Sequence, residues 1–220
     1  MIELINISKK YDDLILLEDF NINFEKNKIT CLFGPSGVGK TTIANIIAGI
    51  VPVDKGSVSG RDNSLFSYVF QEPRLLKWYD VYCNIDFVLK DVYEADKRAE
   101  IIESYLEMVE LSQYRHYKID ALSGGMAQRV SLARAFAYPS DILIMDEPFK
   151  GLDIKLKNEM ILLFKKMWNL SQRTVIFITH DVEEAINLSH TIYILKDRPV
   201  SIVEKLDVNN IEEVRSLLLN

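Results

Sequence analysis

Three stretches of this chain carry residue types whose spacing suits chemistry on phosphate esters. Gly34-Pro35-Ser36-Gly37-Val38-Gly39-Lys40-Thr41, with Thr42 beyond it, fits the pattern G-x-x-x-x-G-K-[ST]. Its glycines let the loop turn backbone N–H groups inward onto phosphate oxygens, and a helix opening at its end adds partial positive charge. Lys40 would neutralise the β- and γ-phosphates of a nucleotide, and the Thr41 hydroxyl would ligate Mg²⁺. In Ile142-Leu143-Ile144-Met145-Asp146-Glu147-Pro148 an apolar run ends in two acids. Asp146 can hold Mg²⁺ through water, and Glu147, one residue on, can orient or deprotonate an attacking water. In Leu122-Ser123-Gly124-Gly125-Met126-Ala127-Gln128-Arg129, a serine hydroxyl and two glycine N–H groups at a helix start form an anion site. Plainer readings exist for the first two: a glycine-rich turn with an incidental lysine, and a solvated Asp-Glu pair ending a strand.

Positioning such groups needs a strand before the loop and a helix after it, and the sequence supplies both. Ile29–Phe33 is a short apolar run, and Ile43, Ile46, Ile47 and Ile50 are spaced to form one stripe that packs on a sheet. The first third of the chain reads as β-rich, with Ile2–Ile7, Ile22–Phe24, Ile29–Phe33 and Leu65–Phe70 broken by Asn, Asp, Lys or Gly clusters. From Glu94 to Leu111, Ala95, Ala99, Ile102, Leu106 and Val109 recur at spacings of three and four, which predicts an amphipathic helix within a helical insert. Ile142–Met145 and Val175–Ile178 are four-residue runs suited to strands buried on both faces, each followed by helix-forming sequence. A parallel sheet with helical crossovers follows.

At 220 residues and 48% apolar composition, one layered domain is expected. The net charge of −6 argues against nucleic acid as the main partner, because phosphate backbones call for a basic surface. Cys31 and Cys83 lack metal-ligand spacing, and Cys31 sits in an apolar run as a small buried thiol would, so a reducing, cytoplasmic setting is expected. No basic segment leads into a long apolar stretch at the start, and no window reaches the roughly 18 apolar residues of a membrane span. Service to a membrane would go through a partner.

The phosphate loop by itself leaves kinases, GTPases, helicases and transport ATPases open. Leu122–Arg129 narrows the choice, for it resembles the signature motif of ATP-binding cassette (ABC) ATPases, and with it the chain resembles that family from Met1 to about Pro199. The resemblance implies an α/β fold: a P-loop NTPase core with a mixed, mainly parallel sheet, an N-terminal antiparallel β-subdomain and a helical signature subdomain. It implies one domain over residues 1–220, the helical part spanning about 74–138, and it implies ATP and Mg²⁺ as ligands. Ser123, Gly124, Gly125 and Gln128 would face the γ-phosphate held by a second copy in a head-to-tail homodimer. Gln71, in Val69-Phe70-Gln71-Glu72-Pro73, stands at the position of the family's Q-loop, which senses Mg²⁺; His180 resembles the switch histidine at the γ-phosphate. Asp153 resembles the D-loop that touches the opposite subunit, and Tyr11 stands where an aromatic ring stacks on adenine. With Lys40, Glu147 and His180 in catalytic roles, the chain is expected to hydrolyse ATP to energise a transporter.

Within the family, Phe70–Trp78, the Met126 and Gln128 variant of the signature, and Met145–Phe149 resemble importers of the nitrate, sulfonate and taurine type. A transmembrane permease and a solute-binding protein are then implied as partners, with the chain at the cytoplasmic face of the membrane. Lys77 and Lys150 stand where that subfamily more often has proline and glycine, the stretch from Pro52 to Gln71 is short, and no room is expected for a regulatory C-terminal domain. Leu75, Leu76, Trp78, Tyr79, Val81 and Tyr82 form an aromatic and apolar cluster, with Arg74 at its rim. It reads either as local core or as a groove for a short permease helix, since interfaces favour aromatics and arginine. The remaining alternatives are a soluble ABC ATPase acting on nucleic acid or ribosomes, the ATPase of an exporter, and an inactive binding module, which would lack Glu147 or His180.

Overall fold

Strand β1 (Ile2–Tyr11) buries Ile2, Leu4 and Ile7 in the computed structural model, which describes residues 1–62, 64–208 and 211–219. Alternation of this kind suits a strand with one covered face. β1 pairs antiparallel with β2 (Leu14–Phe24) and with β4 (Lys55–Ser59), in the order β2–β1–β4. β2 is far longer than the Ile22–Phe24 segment legible in the sequence. Its register with β1 shifts between Leu4 and Ile7 and again between Ile7 and Lys9, where Asp19 sits at a φ of 44°, so polar residues and bulges interrupt the apolar period without ending the strand.

β3 (Ile29–Phe33), β6 (Ile142–Asp146) and β7 (Thr174–Thr179) are parallel, and β8 (Thr191–Lys196) joins them on the far side of β3. β9 (Ser201–Asp207) then closes antiparallel on β8, giving the neighbour order β6–β7–β3–β8–β9. Every residue of β7 is buried, which is why the run reads as continuous rather than alternating. The mixed, mainly parallel sheet and the separate antiparallel sheet are those the sequence leads one to expect.

The chain divides into two compact units. The first holds Met1–Phe66, Asp141–Glu147 and Gln172–Asn220; the second holds Ser67–Ser140 and Pro148–Ser171. In the first, helix α1 (Lys40–Ile47) leaves the loop after β3 and buries Ile43, Ile46 and Ile47 completely, each worth about 1.5–3 kcal/mol. Ile50 departs from the expected stripe and is 62% exposed. The helix has ended by then, and the Ile50 and Val51 amides fold back onto the Asn45 carbonyl, so helical spacing no longer applies. The first unit also carries α6 (Val182–Leu188) and α7 (Ile211–Leu219).

The second unit begins within β5 (Phe66–Val69) and is otherwise helical: α2 (Val81–Leu89), α3 (Ala95–Met108), α4 (Gly124–Ala137) and α5 (Ile154–Leu170). α3 falls inside the expected Glu94–Leu111 segment and turns Ile102 and Leu106 into its core, with Ala95 exposed at the first turn. Side chains cap three of these helices: Asp80 on α2, Ser123 on α4 and Asp153 on α5. Among the described residues, no helix is long and apolar enough to cross a membrane.

Candidate nucleotide site

The loop from Gly34 to Gly39 can take its shape only with glycine at particular places. At Gly34, with φ 156°, a Cβ would come within 2.4 Å of the Leu195 carbonyl oxygen of β8. At Gly39, with φ 123°, a Cβ would press on Val200 and Leu16 at 3.0 and 3.1 Å. Backbone and sheet therefore approach too closely for a side chain. Gly39 stands at the N-cap of α1 with no side-chain cap, so the first N–H groups of that helix face the loop unshielded by a side chain. The Arg198 guanidinium, from the turn between β8 and β9, donates to the Gly37 carbonyl from outside the loop.

Lys40 is 5% exposed, and its ammonium donates to the Gly34 and Pro35 carbonyls at 2.8 Å each, folding the side chain back along the loop. The next residue reaches across the sheet: the Thr41 hydroxyl donates to Asp146 Oδ2 at 2.9 Å. β6 therefore delivers its terminal acid to the first turn of α1. Hydroxyl and carboxylate oxygens at that separation are the hard donors a Mg²⁺ ion takes, and such an ion completes its shell with water and substrate phosphate. Among the described residues no cluster of three or more His, Cys, Asp or Glu could hold a metal by itself; a site shared with phosphate needs none.

Glu147 follows at the end of β6 and is 9% exposed, with a φ of 46°. Its amide donates to the Ile178 carbonyl of β7 at 3.0 Å, which fixes this unusual backbone against the neighbouring strand. Its carboxylate Oε1 lies 3.2 Å from Nδ1 of His180, the residue just beyond β7. The His180 ring is about half exposed, so one edge meets the acid while the other stays accessible. What holds His180 was not legible in the sequence. The Thr179 hydroxyl donates to the buried Glu184 carboxylate at 2.7 Å, the Asp181 amide donates to Thr179 Oγ1 at 3.0 Å, and Asp181 caps α6 through the Glu184 amide at 3.0 Å. The histidine is thus framed by a network of neighbours that meet only through the turn into α6.

Tyr11 closes β1 at the turn to β2, 43% exposed, with the Lys9 ammonium 5.3 Å from its ring centroid. Cys31, on β3 behind the loop, is fully buried, and burial pushes its thiol well above the ordinary range, which suits an inert core residue. Cys83 is half-buried, its thiol raised by burial first and then by the Asp80 carboxylate.

The other expected site residues lie in the second unit. Ser123 Oγ accepts from the Met126 amide at 3.3 Å as the N-cap of α4. A Cβ on Gly124 would meet nothing within 4 Å, whereas one on Gly125 would meet the Leu156 side chain of α5 at 2.7 Å. The first glycine thus borders open space and the second is pressed against a helix. Gln128 is 3% exposed and its amide donates to the Pro148 carbonyl, so in this structure its side chain is engaged within the unit. Asp153 caps α5, accepting from the Leu156 amide at 2.9 Å. Gln71 is exposed on the loop after β5.

The transporter-family model described as "ABC transporter" matches residues 17–150, which span the phosphate loop, the signature and the Asp146-Glu147 pair. The chain belongs to the ABC transporter family. This cassette is 39% identical over 210 residues to the spermidine/putrescine import ATP-binding protein PotA of Clostridioides difficile (strain 630), covering 89% of the chain and 59% of the relative. It thus spans about three fifths of the length of that protein. It is 35% identical over 219 residues to the taurine import ATP-binding protein TauB of Escherichia coli O157:H7, covering 95% of the chain and 85% of TauB. Among solved structures, the dimeric post-hydrolysis state of the ATP-binding cassette MJ0796 bound to ADP and Pi aligns with a TM-score of 0.82 at 27% identity. That alignment covers 96% of the cassette and 100% of the MJ0796 chain.

Proposed function

We propose that this chain binds Mg-ATP and hydrolyses it, as the nucleotide-binding subunit of an importer for a small solute. The observation that carries the reading is the convergence, at the ends of β3, β6 and β7, of Lys40, the Thr41–Asp146 pair and the Glu147–His180 pair. Loop N–H groups and Lys40 bind and orient the phosphates. Thr41 and Asp146 would hold Mg²⁺, which supplies charge neutralisation between the phosphates. Glu147 takes a proton from, or orients, the attacking water, and His180 keeps that carboxylate aimed while its free edge meets the γ-phosphate. Tyr11 offers an exposed ring to the adenine.

A second copy, head to tail, would bring Ser123, Gly124 and Gly125 to the same γ-phosphate and Asp153 to the subunit boundary. The open space at Gly124 favours this, as does the likeness to a cassette solved as a dimer with ADP and Pi. Gln71 is read as the residue that senses Mg²⁺, and Gln128 as supporting the signature from within. Arg74, Leu75, Leu76, Trp78, Tyr79 and Tyr82 would receive the permease, which would keep the chain at the cytoplasmic face of the membrane with a solute-binding protein outside. Trp78 is 70% exposed and Phe87, beside Tyr79, is 50% exposed, so large apolar surface is available there. The taurine type is favoured because TauB matches along nearly the whole chain; the polyamine type is the second reading, favoured by the identity to PotA.

The deciding experiment measures phosphate release from ATP by the purified chain with Mg²⁺, with EDTA, and after Glu147→Gln. Mg²⁺-dependent release that the substitution removes is the expected result, and equal release with and without Glu147 would overturn the reading. Reconstitution with the permease then asks whether taurine or spermidine stimulates hydrolysis.

A further inference from the structure

We propose that Arg134 is a positioning residue, which fastens the loop carrying Gln71 to helix α4 so that this loop and the signature at the start of α4 move as one piece. The proposal rests on the reading of Gln71 given above.

Arg134 lies about three turns after the Ser123 cap on α4. Its guanidinium donates through Nη1 to the Arg74 carbonyl and through Nη2 to the Pro73 carbonyl, each at 3.1 Å. Two parallel donors on two successive carbonyls fix orientation as well as distance, as only the planar fork of arginine can. Arg74 is held in the left-handed region at φ 43°, a conformation that needs outside support in a residue with a side chain.

The loop is closed from within as well. The Arg74 guanidinium lies 3.9 Å from the Phe70 ring centroid, and Phe70 stacks on Tyr68 at 4.0 Å with planes 14° apart. Gln71 therefore sits on a short bridge whose two feet, Phe70 and Arg74, touch each other. On the far side Asn84 of α2, fully buried, accepts from the Leu76 amide at 2.8 Å and donates to the Leu76 and Asp80 carbonyls at 3.1 and 2.9 Å. The anchors from the helices, Arg134 and Asn84, act on backbone groups, so the path of the chain from Pro73 to Leu76 is set by α4 and α2 as well as by the ring contacts of Phe70. A shift of Gln71 on nucleotide binding must either break these bonds or carry α4, and with it Ser123, along.

The test uses the full chain with Arg134→Gln, Arg134→Lys and Arg74→Gln. Hydrogen exchange without nucleotide reads whether residues 70–77 are held; ATP titration and steady-state hydrolysis read affinity against turnover. Arg134→Gln should speed exchange in that segment alone and lower kcat about tenfold, since small misplacements of a positioning group are costly, with ATP affinity kept within about twofold. Arg134→Lys should recover part of both losses, and Arg74→Gln, at an exposed site, should act in the same direction even if Arg134→Gln proves too unstable to purify. Unchanged exchange in Arg134→Gln and Arg74→Gln would reject the clamp, and loosened exchange with wild-type kcat would reject its role in turnover. A wild-type chain without ATPase activity would remove the proposed function instead, leaving exchange to decide whether Arg134 holds the loop.

Discussion

His180 Nδ1 lies 3.2 Å from Glu147 Oε1, and each of the two residues stands one position beyond the end of a strand, β7 and β6, that run side by side. The Glu147 amide on the Ile178 carbonyl sets the spacing between them. The acid is nearly buried and the imidazole half exposed, so the pair has one end in the protein and one toward a ligand. This polarity suits the proposed roles, in which the carboxylate meets water and the ring meets a phosphate.

Glu147→Gln should bind ATP with near wild-type affinity and lose turnover by about a hundredfold or more, the usual reach of a general base. The amide keeps the shape and a hydrogen bond to His180 but cannot accept a proton. Light scattering with Mg-ATP should reveal an accumulating dimer of this variant. A variant that turns over ATP at the wild-type rate would place the base elsewhere.

Lys40→Ala should weaken nucleotide binding and lower hydrolysis by about a hundredfold or more, as removal of a preorganised charge does. The substitution also strips the Gly34 and Pro35 carbonyls of their shared donor. Equilibrium binding of a fluorescent ATP analogue, beside a thermal melt, separates loss of ligand charge from loss of loop order: the melt should move little.

The parts of the site that the sequence made legible are those in which a few contiguous residues do the work. The loop from Gly34 to Thr41 would bind phosphate with its own backbone, so its requirement is written as local spacing. The apolar run into Asp146 and Glu147 is legible for the same reason. Thr179, Glu184, Asn84 and Arg134 are not legible in this way, because each acts on a partner chosen by the fold, and three of these residues, Thr179, Asn84 and Arg134, engage backbone atoms that carry no side-chain signature. The strands β4 and β9 escaped on similar grounds: β4 is largely exposed and β9 only half-buried on one face, so neither needs an apolar run. Ile50 was misplaced on the α1 stripe because helical periodicity says nothing of where a helix stops.

Ser123→Arg and Gly124→Ala should separate chemistry on the chain's own nucleotide from chemistry on a partner's. Ser123→Arg removes the cap of α4 at about 1 kcal/mol of stability and fills the proposed anion site, whereas the Gly124 position has open space for a methyl group. Both variants should keep monomer affinity for ATP. Hydrolysis should fall steeply in Ser123→Arg, and a large loss of monomer affinity in either variant would show that the motif serves its own subunit.

The last prediction concerns the surface after Gln71. Trp78 is 70% exposed, and Tyr79 is half-buried with its ring 6.2 Å from that of Trp78 and 6.1 Å from that of Phe87. Removing an exposed ring costs a folded chain little, because the ring had little burial to lose. At an interface, the same truncation of a well-packed aromatic anchor commonly costs about 2 kcal/mol or more of binding. None of these residues belongs to the unit that carries the phosphate loop, since they lie in the segment from Ser67 to Ser140. Trp78→Ala and Tyr79→Ala should therefore leave the melt and ATP affinity close to wild type and weaken assembly with the permease, measured by co-purification and by solute-stimulated hydrolysis in vesicles. Tyr79→Ala should show the larger effect on the melt of the two, in line with its burial. If either variant unfolds, the cluster is core and the docking surface lies elsewhere; if both assemble at wild-type strength, the permease does not use these rings.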